Sequence, residues 1–451
     1  MSRVSEPKPK SFDISKRAVW EAYRRVKANK GGAGVDGESI AEFEEDLHGN
    51  LYKLWNRLSS GSYFPPPVRA VEIPKRDGSS RVLGVPTVAD RIAQTVVRGY
   101  LEPSVELVFH EDSYGYRPGR SAHQALRVCR ERCWRNEWVL DMDIRKFFDS
   151  VSWDLTLKAV AHHTDLRWVL LYVERWLKAP LQLEDGSLVE RDRGTPQGSA
   201  ISPLLANMML HYAFDAWMAR EFPAVQFERY CDDIIVHARS ERHARLLWAA
   251  IAKRLAECGL ELNERKTRIV YCKDDDRRGS YEHTQFDFLG YTFRPRLSKS
   301  RFGKHFVNFS PAVSSEAKTR MRREMRRWRV NCRSDKTLTD LALMFNHQLQ
   351  GWSGSSRGAV SALPPVRFPD PPAEPDMRLP PHPALHRTSA GRSQALVRQR
   401  RSPAGWWPGL FRWPPTARGC GARGSGSPGP RRASEAFCLR GWSSRVPSTV
   451  A

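Results

Sequence analysis

This chain of 451 residues has no pair of cysteines at the Cys-x2-Cys spacing of a zinc ribbon, although it has eight cysteines, at 129, 133, 231, 258, 272, 332, 420 and 438. Cys129 and Cys133 stand one helical turn apart beside Leu126 and Val128, which predicts reduced core thiols rather than metal ligands. No apolar run approaches the roughly 18 residues of a membrane span. The opening Met1-Ser2-Arg3-Val4-Ser5-Glu6-Pro7-Lys8-Pro9-Lys10 has no apolar signal-peptide core, so a cytoplasmic protein without membrane partners is expected. Acidic residues are few: 50 Asp and Glu against 73 Lys and Arg leave a formal charge of +23. That excess favours a polyanionic partner, nucleic acid first, because Lys and Arg gain affinity by releasing condensed counterions. Charge alone names no activity.

The sharpest absence is regional. Residues 353–451 contain no Lys, Ile, Asn or Tyr, yet hold 16 of the 31 prolines and 15 Arg. The missing types have A/T-rich codons and the abundant ones G/C-rich codons, as in a GC-rich gene read out of frame. The expectation is a frameshift near codon 352 and a disordered basic tail, with a genuine Pro/Arg-rich linker as the alternative. The tail supplies +11 (15 Arg minus 4 acidic residues), so +12 of the +23 stays with the remainder and the nucleic-acid argument survives.

What is present centres on Tyr230-Cys231-Asp232-Asp233. Alternating apolar residues from Val225 to Tyr230 and the run Ile234-Ile235-Val236 read as two short strands pinched at a carboxylate pair. Neighbouring side chains on a straight strand face opposite ways, so both carboxylates serve one site only at a hairpin bend. A third carboxylate, Asp143, lies near the carboxyl end of the β-like run starting at Trp138. Three carboxylates from separate strands suit two-metal nucleotidyl transfer, the ions offsetting their mutual repulsion. A solvated Asp-Asp turn is the bland alternative. Asp274-Asp275-Asp276, followed by Arg277-Arg278, reads as a solvated loop.

Along the chain, helices are expected from Lys16 to Lys30, over the spacing Ile40-Phe43-Leu47-Leu51-Leu54-Leu58, and from Thr87 to Leu101. Val68–Pro74 and Ser80–Val85 read as a hairpin around Arg76-Asp77-Gly78-Ser79, with Lys75 and Arg81 beside its turn. Two cations there could close on a triphosphate, or could simply be solvated. Tyr114, Tyr116, Arg117 and Arg120 form an aromatic, Arg-rich loop suited to base stacking and phosphate contact, or to packing on its own tyrosines. Thr156 to Lys178 is expected to be largely helical, a short hairpin follows around Glu184-Asp185-Gly186-Ser187, and Pro196-Gln197-Gly198-Ser199 leads a helix reaching Trp217. Gly198 permits close backbone approach there. Ser240 to Gly259 reads as an amphipathic helix. Thr319 to Arg329, with Arg322 and Arg326 among its six arginines, reads as a basic helix with one apolar stripe, and Leu338 to Trp352 as a further helix.

Eight motifs in order resemble those of group II intron reverse transcriptases/maturases, from about Trp20 to Trp352. They are Ile73 to Arg81, Asp90-Arg91-Ile92-Ala93-Gln94, Tyr114 to Ser121, Asp143 with Phe147-Phe148-Asp149, Gly194-Thr195-Pro196-Gln197-Gly198, Asp232-Asp233, Leu262-Asn263 with Lys266-Thr267, and Phe288-Leu289-Gly290-Tyr291. The family usually has Ala where Cys231 stands. The resemblance implies an α+β right-hand polymerase. Its parts would be an N-terminal helical template-contacting segment (1–60), fingers (61–140), a palm whose small antiparallel sheet is backed by helices (141–295, with an inserted fingers element near 180–200), and a partial helical thumb or maturase domain (296–352). It implies RNA-directed DNA synthesis with intron RNA, a DNA primer or target and deoxynucleotides as partners, and help in splicing. Asp143, Asp232 and Asp233 would hold two Mg2+ ions. Lys75 and Arg81 would grip the triphosphate, and Gln197 and Gly198 would meet sugar or base. Phe148 would exclude ribonucleotides while Phe147 packs in the core, and Lys266 would protonate the leaving pyrophosphate. Tyr114, Tyr116, Arg117 and Arg120 would touch template, and Arg322 and Arg326 would lie along nucleic acid. A retron, diversity-generating or CRISPR-associated reverse transcriptase, a non-catalytic splicing factor and an inactive relic are the alternatives.

Overall fold

Apolar residues at helical spacing build the start of the chain. Helix α1 (Lys16–Asn29) is capped by Ser15, whose hydroxyl accepts from the Ala18 amide, and it buries Val19, Ala22, Tyr23 and Val26. The periodic stretch that follows is two helices rather than one: α2 (Ile40–Glu45) ends at Asp46, which caps α3 (Leu47–Ser60) by accepting from the Gly49 amide at 3.1 Å. An acid that can cap a new turn competes with continuing the old one. The structure is a computed structural model that describes residues 11–74, 80–300, 302–333 and 335–359, the last seven by backbone alone. Lys75 and the turn 76–79 lie outside it, as does the composition-shifted tail beyond 359.

Strands β1 (Val68–Pro74) and β2 (Ser80–Val85) form the expected hairpin, paired from Arg69↔Val85 to Pro74↔Ser80. Helix α4 (Val88–Glu106) runs past Leu101, and α5 (Ala122–Cys133) starts at a Ser121/Gln124 capping box. Next come β3 (Trp138–Asp143), the single turn α6 (Phe147–Ser150), α7 (Trp153–His163) and α8 (Arg167–Lys178), the last two split at 164–166. The little hairpin β4 (Leu181–Gln182) and β5 (Leu188–Val189) joins β1 in parallel, giving the order β2-β1-β4-β5.

Helix α9 starts at Ser202, later than Pro196 suggests, and spans Ser202–Leu210. A wide π turn over His211–Asp215 then precedes α10 (Ala216–Glu221). Arg254 donates to the Tyr212 and Ala213 carbonyls in this turn, at 3.2 Å each. Strands β6 (Phe227–Tyr230) and β7 (Asp233–Ala238), helix α11 (Glu241–Glu257) and β8 (Arg268–Tyr271) complete a sheet of order β6-β7-β3-β8, antiparallel at every pairing. One face of it packs Leu140, Met142, Ile234 and Val236 against Met209, Phe214, Leu247 and Ile251. The other packs Val139, Ile235 and Val270 against Leu126 and Cys129 of α5. Strands β9 (Phe286–Phe288), β10 (Tyr291–Lys299) and β11 (His305–Val313) make a third sheet, followed by α12 (Ser315–Arg327) and α13 (Leu338–Ala359). Trp328 stacks on Phe345 with ring centres 4.4 Å apart, joining the last two helices.

Cys129 and Cys133 are buried free thiols. The Cys129 sulfur lies within 4.8 Å of ligand atoms of Glu228 and His237, but Glu228 already accepts from Arg132 at 2.7 Å and pairs with His237 at 2.8 Å. Both Glu228 oxygens are therefore committed to an ionic core cluster with Arg132 and His237, in which the buried His237 Nδ1 has no partner. The expected solvated loop does not hold at Asp274: it pairs with Arg277, both side chains are largely withdrawn from solvent, and Arg277 also donates to the Cys133 and Asn136 carbonyls at 2.9 and 2.7 Å. Among the described residues no helix is long and apolar enough to cross a membrane.

Candidate active site

Strand pairing brings the carboxylates together. Asp143, the last residue of β3, is the register partner of Asp233, the first of β7, and Asp233 is also the partner of Tyr230 on β6. The hairpin bend is Cys231-Asp232, with Cys231 at φ 61° and 3% exposed. A left-handed backbone costs a non-glycine residue energy, and here the surroundings impose it. The Arg229 guanidinium, wholly buried, donates to the Cys231 carbonyl at 3.1 Å, to Asn207 at 2.9 Å, to Ser113 at 2.8 Å and twice to Asp215 at 2.6 and 2.7 Å. Burial would push Asp215 up, but the Arg229 charge holds its carboxyl at about 2. Asn207 also donates to the Gly115 carbonyl at 2.6 Å, and a Cβ on Gly115 would lie 2.5 Å from the Cys231 amide. Loop 113–117 is thus laid directly against the Cys231-Asp232 bend.

Asp233 is exposed at the start of β7, yet the protein packed around it limits its hydration. That enclosure, with Asp232 and Asp143 beside it, pushes its carboxyl up to about 7 against the pull of Lys266. Asp232 is raised as well, first by burial, with Asp143 raising and Arg81 lowering it. The site is therefore short of positive charge. Lys266 partly supplies it, 3.3 Å from Asp143, while the Asn263 side chain donates to Asp143 at 3.0 Å and the Asn263 amide to the Asp143 carbonyl at 2.8 Å. Asp143, Asp232 and Asp233 feel one another's charge, and oxygen donors of this kind suit a hard divalent cation.

Arg81 projects from β2 within electrostatic reach of Asp232 and Tyr116. The Gly84 amide donates to the Gln197 carbonyl at 2.7 Å, and Gly198 sits at φ 110° where a Cβ would meet the Gly84 carbonyl at 2.5 Å, so only glycine fits. The Thr195 amide donates to the Phe148 carbonyl at 2.7 Å. Phe147 is core at 2% exposure, whereas Phe148 is half-buried with its ring 5.4 Å away. Asp143, Asp232, Asp233 and Lys266 are thus electrostatically coupled, Arg81 reaches Asp232, and the 194–198 loop carrying Gln197 and Gly198 is tied by backbone hydrogen bonds to Phe148 on α6 and to Gly84 on β2.

The Arg-rich loop divides. Tyr114 and Arg117 are 4% and 5% exposed. Arg117 bonds Glu106 at 2.7 Å and the carbonyls of His110 and Ser113 at 2.6 and 2.7 Å, while Tyr114 donates to Asp112 at 3.2 Å. The expectation that these two touch template does not fit those positions, because each is already spent on internal partners. Tyr116 is 44% exposed at φ 56° beside the Asp bend, and Arg120 lies over the Tyr114 ring. Arg322 and Arg326 are exposed on α12. Two residues escaped the sequence reading. Asn263 was visible only as part of a motif. Asp141 shares the face of Asp143 two positions earlier, where burial and Asp233 push it up to about 7; the period-two pattern Asp141-Met142-Asp143 is its signal.

Three carboxylates at the ends of paired antiparallel strands, a cation-bearing hairpin and a glycine-tight loop define a nucleotidyl-transferring polymerase palm with its fingers. The pattern of reverse transcriptases (RNA-dependent DNA polymerases) matches residues 73–293. The chain is 32% identical over 333 residues to protein YkfC of Escherichia coli, covering 63% of this chain and 81% of that one. It is 35% identical over 195 residues to the group II intron-encoded protein LtrA of Lactococcus lactis, covering 42% and 32%. It is 30% identical over 342 residues to the putative COX1/OXI3 intron 1 protein of Saccharomyces cerevisiae, covering 63% and 40%. This chain belongs to the family of group II intron reverse transcriptases and maturases, whose catalytic domain depends on divalent metal and acts on nucleic acid. It spans about a third of LtrA and two fifths of the yeast protein.

Proposed function

We propose that this chain adds deoxynucleotides to a primer 3′-hydroxyl on an RNA template, as the polymerase of a group II intron. The observation that carries the reading is the register pairing of Asp143 with Asp233, with Asp232 at the adjoining bend. Asp143, Asp232 and Asp233 would hold two Mg2+ ions, which supply activation of the attacking hydroxyl and neutralisation of the leaving oxygens. Arg81, with Lys75 from the turn outside the described residues, grips the triphosphate. Gln197 and Gly198 meet the sugar or base, and the half-buried Phe148 ring is the group that excludes a 2′-hydroxyl. Lys266 offsets the carboxylate charge and carries at Nζ the proton that the departing pyrophosphate requires. Tyr116 and Arg120 face the template, and the exposed Arg322 and Arg326 of α12 favour a second role, holding intron RNA during splicing.

The test is Mg2+-dependent extension of a DNA primer on an RNA template by this chain and its Asp232→Ala variant. Incorporation by the first, reduced at least about 10³-fold in the second, is expected for loss of a metal-holding carboxylate. Extension by neither, or equal extension by both, would sink the polymerase reading.

A further inference from the structure

The motif Asp90-Arg91-Ile92-Ala93-Gln94 has no part in the chemistry above, yet its two polar ends are among the most deeply buried side chains in the protein. Asp90 and Gln94 are each 1% exposed. They lie one turn apart on α4, whose cap Thr87 accepts from the Asp90 amide at 3.1 Å. The Asp90 carboxylate points inward and accepts from three donors: the Tyr63 hydroxyl at 2.7 Å, the Trp176 indole at 2.6 Å and the Gln94 amide nitrogen at 2.9 Å. Because Asp90 can only accept, it fixes which way the Gln94 amide is turned. The Gln94 oxygen is thereby aimed at the loop after Gly198, where it accepts from the Ser199 hydroxyl at 2.6 Å and the Ala200 amide at 2.8 Å.

On its other side the same loop is held by Gly84, through the Gln197 carbonyl and the close approach at Gly198. Gly84 belongs to β2, the strand that carries Arg81. Gln197 and Gly198 therefore sit between two anchors, one on the triphosphate-gripping strand and one on a buried helix. Each buried group in the chain Tyr63/Trp176, Asp90, Gln94, Ser199/Ala200 is satisfied by the next, so releasing one member leaves its neighbour orphaned.

We infer that Asp90 and Gln94 form a buried brace that sets the position of the Gln197–Gly198 loop, making Gln94 a positioning residue for deoxynucleotide binding. This rests on the reading of that loop as the nucleotide pocket. The experiment measures steady-state primer extension on an RNA template with full-length Gln94→Met, Ser199→Ala, the double variant and Gln197→Ala, together with primer–template Kd and thermal midpoint. Gln94→Met is expected to raise KM for the deoxynucleotide about tenfold and Ser199→Ala about threefold, with primer–template Kd within about twofold of the parent. The double variant should be no worse than Gln94→Met alone, because both cut one path. Should Gln94→Met fail to fold, Ser199→Ala, which removes a single hydroxyl, carries the test alone. A fall in kcat at unchanged KM, or independent addition of the two effects, overturns the brace. If Gln197→Ala raises KM while Gln94→Met and Ser199→Ala do not, the brace alone is wrong. If Gln197→Ala leaves KM unchanged, the pocket reading itself falls and the inference falls with it.

Discussion

Loop 113–121 and helix α12 are both rich in arginine beside aromatic or apolar residues, and the fold uses them in opposite ways. Arg117 is buried and ligated by Glu106 and two carbonyls, whereas Arg322 and Arg326 stand exposed on α12. The difference lies in the surrounding acids and carbonyls. The end of α4 and the bend after it bring Glu106 and the His110 and Ser113 carbonyls within reach of Arg117, and an Arg with its donors so engaged can be buried. Helix α12 has only Glu316 and Glu324 among many arginines, and its backbone oxygens are used within the helix. Its cations therefore stay in water, where a phosphate backbone can recruit them. The same residue type is structural where acceptors surround it and available to a ligand where they do not.

The strongest way to break that comparison is at the most buried arginine. Arg229→Met should destabilise the protein by about 3–5 kcal/mol in urea titration, since Asp215 would be left buried with only the His211 ring, 3.8 Å away, in place of the guanidinium. A loss below about 1 kcal/mol would mean that the guanidinium is not what holds the catalytic bend. A buried acid should obey the same rule with the sign reversed. Burial raises Asp90 from 3.8 to about 6 even though its hydrogen bonds pull it down. The folded state then binds this proton more tightly than the unfolded chain, so its stabilising contribution is complete below about pH 4 and is lost as pH rises through about 6. Wild type should lose about 2–3 kcal/mol relative to Asp90→Asn across that window, and a difference that is flat with pH would refute the shift.

Next in size, Arg117→Ala should cost about 1–3 kcal/mol while leaving the salt dependence of RNA binding unchanged. A lower salt slope with unaltered stability would return Arg117 to the template. The smallest effect on stability, within about 0.5 kcal/mol, is expected from Arg322→Gln combined with Arg326→Gln. That pair should instead weaken RNA binding at every sequence and reduce the salt slope by roughly 1.5, as for two lost phosphate contacts. Equal binding at low and high salt for parent and variant would remove α12 from the interface.

Period and turn chemistry made much of the fold readable in advance. The hairpin Val68–Pro74 with Ser80–Val85 has the expected bounds, and the Asp232 bend lies between the two strands predicted around it. Misplaced boundaries have local physical causes. Asp46 splits a continuous apolar spacing because it caps a new helix, whereas the helix expected to reach Trp217 does so, with a π turn at 211–215 inside it. Among the proposed site residues, the three aspartates could be named because two-metal chemistry would require carboxylates, and Lys266 only through the family resemblance. Tyr114 and Arg117 were indistinguishable from Tyr116 and Arg120 without knowing where Glu106 and Asp112 fall.

By itself the sequence determined the 68–85 hairpin, the strands on either side of the aspartate bend, the bend itself and the excess of positive charge, because each follows from local periodicity, turn preference or a sum; strands β8 to β11 were not marked by it. Tertiary structure alone decided that Asp143 stands opposite Asp233, that Arg229 lies beneath the bend, and that Gln94 reaches a loop more than a hundred residues away. Pairing register and burial depend on which distant acceptors meet a given donor, and no window of neighbouring residues contains that information.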